Sequence, residues 1–140
     1  MSLAAKQTIV RKQPIVYSDF ASNLLQHPLS GDVARVNNEE AVKQAIKNLL
    51  LINYGEKLFK PDLGSDLYKN LFEPMDGFTL NNIRDRISDT IRFFEPRVEL
   101  IEVQVSGIEN DDNSAAVAII FNIINTGVVT SLNLILRRVR

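Results

Sequence analysis

The chain has no cysteine, no tryptophan and one histidine, and it nowhere carries an apolar run of membrane-spanning length. Without cysteine there is no disulfide and no thiolate metal site, so packing alone must hold the fold in either redox compartment. One histidine cannot build a multi-histidine metal centre. A Ser-His-Asp or Cys-His centre would depend wholly on His27, beside Pro28 in a loop that reads as ordinary surface. With no tryptophan and only three tyrosines, little stacking surface is left for a sugar. The start, Met1 to Val16, holds Lys6, Arg11 and Lys12 but no apolar stretch of signal-peptide length. A membrane helix would need about 20 apolar residues. The expectation is a soluble protein used without Sec export and with no membrane partner. Net charge is missing too: sixteen basic residues against seventeen acidic ones leave -1, which gives no global pull toward nucleic acid. Gly55 and Gly64 are separated by Pro61 and form no phosphate-cradling run. No cofactor, no metal and no small-molecule substrate are expected.

What is present reads as one α+β domain of residues 38–140, with helices packed on a three-stranded antiparallel sheet at the C-terminal end, behind an extended arm and loop of residues 1–37. The arm carries Pro14, Pro28 and Gly31, and its first twelve residues hold basic side chains and no acid. That is either a solvated, frayed terminus or a transient contact for a polyanion. Asn37 followed by Glu40 resembles a capping box, and Val42, Ala45, Ile46, Leu49 and Ile52 then recur at helical spacing, which predicts a helix over about 39–53. A compact loop from Gly55 to Gly64 follows. Asp66 is placed to cap a short helix over about 66–72, closed by Glu73-Pro74. Thr79 opens a longer helix, about 79–94, with Leu80, Ile83, Ile87, Ile91 and Phe94 on one stripe.

Beyond Arg97 the period becomes two. Strands are predicted over about 99–107, 115–124 and 128–139, with Ile101, Val103 and Val105 sharing a face in the first, and Leu132, Leu134 and Leu136 buried in the last. The middle segment is apolar on both faces, as suits a central strand. The last strand has no proline and ends in Arg137, Arg138 and Arg140. These arginines are either gatekeepers against edge-to-edge aggregation or a filter that admits a partner strand with acidic side chains.

Two places suggest function. Glycoside hydrolysis needs a pair of carboxyl groups, one of them kept protonated, and the loop acids Glu56, Asp62 and Asp66 are the candidates. The other place is Glu95-Pro96-Arg97, where a helical pattern gives way to a strand pattern across a proline. There an acid and a base sit in a stiff frame, either as a helix stop with two solvated charges or as a unit that grips something.

Ile46-Lys-Asn-Leu-Leu at the end of the first helix, Gly55, Phe59, Pro61 and Gly64 in the loop, Leu67, Leu71-Phe72-Glu73, and above all Glu95-Pro96-Arg97 resemble, in order, the gene-twenty-five-like (GPW-type) baseplate wedge proteins of contractile phage tails and type VI secretion baseplates. The resemblance runs from about Tyr17 onward, and departs from the family pattern at Lys57, where arginine is frequent, and at Leu63, where an aromatic is common. It implies a structural, non-enzymatic component of a sixfold virion tail baseplate, assembled in the host bacterial cytoplasm, that links the inner wedge core to the first sheath ring. Its partners would be other baseplate wedge proteins and sheath subunits, with no nucleic acid. It further implies that Glu95, Pro96 and Arg97 bind the helical wedge core. The C-terminal sheet, through Leu132, Leu134, Leu136, Arg137 and Arg138, would be the template for sheath strand addition. Family members have also been called lysozymes, which makes a peptidoglycan-degrading hydrolase the alternative.

Overall fold

The computed structural model describes residues 17–20 and 35–138. Most of the arm expected over residues 1–37, including His27, lies outside the described residues, as does Arg140. What is described of it is a short ladder, β1 (Ser18–Phe20) antiparallel to β2 (Arg35–Asn37). The domain then runs α1 (Glu39–Leu51), α2 (Leu67–Asn70), α3 (Gly77–Phe94), β3 (Val98–Ile108), β4 (Asp111–Ile123) and β5 (Val128–Arg137). It is the expected α+β architecture, with the helices on one face of an antiparallel sheet of order β3-β4-β5.

The helices follow their apolar stripes, but tertiary bonds overrule two expected caps. Asn37 closes β2, and the cap of α1 is Asn38, at φ 49° and without a side-chain bond into the helix. Its Oδ1 accepts from the Tyr17 N–H at 3.1 Å, and its own N–H donates to the Tyr17 carbonyl at 2.6 Å. α1 stops at Leu51 because Ile52 turns extended, and its carbonyl takes the Ser65 N–H at 3.1 Å. Asp66 stands at the N-cap of α2, as expected, but its side chain makes no bond into the main chain of that helix. It sits at φ 51° and reaches back, accepting from the Tyr54 N–H at 2.9 Å. α3 starts earlier than Thr79, because the Asp76 side chain accepts the Thr79 N–H at 2.8 Å and caps a helix that begins at Gly77.

The sheet's inner face joins Val98, Val103, Val117, Ile119, Phe121 and Ile123 to Ile83, Ile87 and Ile91 of α3 and to Val42, Ile46 and Leu50 of α1. Ile101 was expected on this face with Val103 and Val105, yet it is exposed. A bulge between Leu100 and Glu102 inserts one residue, so the inward series runs Val98, Leu100, then Val103 and Val105. β4 is the central strand, as its two apolar faces predict, and it begins at Asp111, because the turn from β3 is only Glu109-Asn110, with Asn110 at φ 63°. On β5, Leu136 is buried, whereas Leu132 and Leu134 are half-buried against the core at the sheet's margin.

Candidate partner-binding surfaces

Glu95 and Arg97 are brought together as a closed unit. The last turn of α3 delivers Glu95, whose N–H bonds the Ile91 carbonyl at 2.9 Å, and the start of β3 delivers Arg97, whose carbonyl takes the Ile124 N–H at 2.9 Å. Between them Pro96 is exposed and sets the bend. The guanidinium donates in a fork, Nε to Oε1 at 2.6 Å and Nη2 to Oε2 at 2.8 Å, while Glu95 itself is only 6% exposed. This carboxylate pushes the Arg97 guanidinium above its already high range, so its charge is permanent.

Four residues that the sequence did not single out for function complete this knot: Tyr17, Asn38, Ile124 and Asn125. Tyr17 lies with its ring centroid 5.6 Å from the Arg97 guanidinium carbon. Its hydroxyl donates to the Ile124 carbonyl at 3.0 Å and accepts from Asn125 Nδ2 at 3.1 Å, and its main chain pairs with Asn38. The junction therefore ties the N-terminal segment, α1, α3, β3 and the β4–β5 turn together. The available signal was the lone tyrosine before the first strand, which periodicity cannot flag.

The loop of residues 53–65 is closed on itself. The Gly55 N–H donates to the Pro61 carbonyl at 2.8 Å, Asn53 donates to Glu56 from both its main chain and its side chain, and the Ser65 hydroxyl donates to the Leu50 carbonyl at 2.6 Å. Gly64 is at φ +134°, and a Cβ there would stand 2.5 Å from the Ile52 carbonyl oxygen, so only glycine fits. This frame holds Tyr54, Leu58 and Phe59 out in solvent, with Phe59 fully exposed. An open groove of about 1010 Å³ separates the loop from α3, lined by Tyr54, Phe93 and Phe94 and flanked by Asp62, Arg86 and Asp89.

The loop acids do not form a catalytic pair in character. Bonds from Asn53 hold the Glu56 carboxyl below its usual range. The Lys69 ammonium, 2.6 Å away, with the Tyr54 N–H, does the same for Asp66 against the opposing effect of burial. Among the described residues no group of three or more His, Cys, Asp or Glu is placed to hold a metal ion, and no helix is long and apolar enough to cross a membrane.

The two sheet edges differ. β3 carries the bulge and a second register shift at Gly107–Ile108, with Glu99 and Glu102 exposed. β5 pairs with β4 through ten residues in continuous register, Val128 to Arg137, and among the described residues β4 is its sole strand partner. Its outward face is Val129, Ser131, Asn133, Ile135 and Arg137. Arg138 turns back, donating its N–H to the Asn113 carbonyl at 3.1 Å and laying its guanidinium carbon 4.6 Å from the Phe72 ring centroid.

The model of the family described as baseplate wedge protein gp25 matches residues 36–128. This chain belongs to the gp25 baseplate wedge family. A curated relative, baseplate wedge protein gp25 of Enterobacteria phage T4, is 30% identical over 94 residues, 67% of this chain and 70% of the relative. Membership gives the chain a structural role in the baseplate wedge of a contractile tail machine. Three solved structures share the fold. A protein described as a putative tail lysozyme from Geobacter sulfurreducens superposes with TM-score 0.66 at 24% identity, covering 73% of this chain and 92% of its own. A chain of the anti-feeding prophage baseplate gives 0.62 at 20% over 89% and 87%. A chain of the pyocin R2 baseplate, in its postcontracted form, gives 0.51 at 17% over 82% and 98%. The gp25 match takes in the loop and the Glu95–Arg97 knot and stops at the first residue of β5.

Proposed function

We propose that this chain is an adaptor inside the wedge. Its junction half faces the inner wedge core, and β5 is the template on which a strand of the first sheath ring is added. The observation that carries the reading is the contrast between the sheet edges: β3 is bulged and acidic, as blocked edges are, whereas β5 keeps continuous register with β4 and is uncharged from Val128 to Leu136. Main-chain hydrogen bonds then supply affinity, the alternate side chains set register, and Arg137 selects an acidic strand, while Arg138, turned back onto Asn113 and Phe72, anchors the end of the template. Leu132, Leu134 and Leu136 point into the core, so they support the template from beneath. Glu95 and Arg97 satisfy each other, so they serve the wedge core by fixing the angle at which exposed Pro96 and the adjoining aromatic groove are presented. A sixfold arrangement and assembly in the host bacterial cytoplasm belong to the same proposal.

Hydrogen exchange on baseplates reconstituted with sheath subunits tests it. β5 edge amides that exchange on baseplates without sheath should become protected when sheath subunits are added; protection confined to β3, or none, would sink the template. A hydrolytic role is not part of the proposal. A general acid at neutral pH needs a raised pKa, and the Glu56 and Asp66 carboxyls are both pulled the other way. Turnover of purified cell walls should stay at background for this chain and for the Glu56→Gln, Asp62→Asn, Asp66→Asn variant alike. Activity in the first that vanishes in the second would restore the enzyme.

A further inference from the structure

The β5 edge has the symmetry of its own partner. It is ten residues long, free of proline, and without charge until Arg137, with Val129 and Ile135 about 60% exposed. A strand of that kind pairs with any suitable neighbour, and two copies of β5 can meet in either direction. Parallel pairing would set Arg137 beside Arg137 of the second copy. Antiparallel pairing about Asn133 separates them by eight residues, about 27 Å at 3.4 Å per residue, well beyond a Debye length of about 8 Å. It also opposes Leu132 of each copy to Leu134 of the other, completing the cover of two leucines that the monomer leaves half-buried at its margin.

We propose that the free chain pairs with a second copy through β5, in an antiparallel two-fold centred on Asn133, and that a sheath strand displaces this pairing on assembly. The last clause rests on the template reading above. Because the pairing is isologous, it closes at two copies; the bulge and the Glu99 and Glu102 charges on β3 keep the opposite edge from extending it into a filament. The dimer is thus a holding state that hides the open edge until the baseplate supplies its occupant.

The chain contains no cysteine, so single introduced thiols report pairing cleanly. Gln104 and Asn133 both pair with Ala118, one on each side of β4, and both are exposed. Under mild oxidation Asn133→Cys should give a covalent dimer and Gln104→Cys should not, since residues directly opposite in an antiparallel pair bring their Cβ atoms within about 5 Å. Sedimentation of the full chain should show a dimer that dissociates on dilution. Asn133→Lys, with unchanged circular dichroism, should raise its dissociation constant about fivefold by opposing two like charges at the symmetry axis. A chain that stays monomeric at every concentration, or equal cross-linking from Gln104→Cys, would overturn the pairing. Sheath subunits bound to β5 of a chain that never dimerises would remove this inference and leave the template; a dimer beside unprotected β5 amides on baseplates would do the reverse.

Discussion

The Glu95–Arg97 junction and the β5 edge are both seams of the sheet, yet among the described residues one has its charges paired and the other, uncharged until Arg137, has a strand on one side alone. At the junction every strong group already has a partner: the guanidinium fork is filled by a buried carboxylate, the Arg97 carbonyl by Ile124, and the cation's face by Tyr17. Along β5 the side chains facing inward are engaged, while one side of the backbone ladder has no strand against it among the described residues. The difference teaches that a conspicuous charge pair can be architecture, whereas a run of ordinary residues such as Val-Val-Thr-Ser-Leu can be the surface that recruits.

The contrast can be broken most directly at the junction. Arg97→Ala strands a buried Glu95, and removing one member of a buried pair costs about 3 kcal/mol or more. Urea denaturation should show that loss, and replacing both residues by leucine should cost less than Arg97→Ala alone. Equal losses would mean that the pair behaves as solvated charges. Within β5, Leu136→Ala should cost about 2–3 kcal/mol, as a fully buried leucine does, while its half-exposed neighbour Ile135→Ala should stay near 0.5 kcal/mol and act on partner binding instead. Comparable losses would erase the division between inner support and outer template.

A smaller effect lies in acid. Lys69 and the Tyr54 N–H lower the Asp66 pKa in the folded state. Its contribution is therefore complete above the unfolded value, about 4, and is lost as pH falls through the lower folded value. Loop opening, followed by exchange of the Tyr54 amide, should rise below about pH 4 and become pH-independent in Asp66→Asn. The smallest change in stability is expected from Arg137→Ala, within about 0.5 kcal/mol of the parent. Slower, less salt-sensitive capture of an acidic strand would accompany it.

Much of this was legible in order along the chain. The isoleucines at 83, 87 and 91 announce α3, the unbroken apolar run after Ser114 announces a central strand, and the proline at 96 marks the turn between helix and sheet. Motifs in the right order also pointed to the wedge family. What failed failed for tertiary reasons: Asn37 and Asp66 have the composition of caps, but Asn37 is drawn into the β1–β2 ladder opposite Ser18, and the Asp66 carboxyl is taken by the Tyr54 main chain, twelve residues away. Ile101 alternates correctly on paper and is turned outward by one inserted residue.

The sequence by itself determined the class of the protein, the identity of its core and the stiffness of its junction, because periodicity and proline geometry are local properties. Only the tertiary structure decided that Glu95 is buried and paired, that β3 is a bulged edge, and that β5, among the described residues, has a strand on one side alone. Burial and edge position arise from what packs beside a residue across the fold, and no spacing along the chain encodes that.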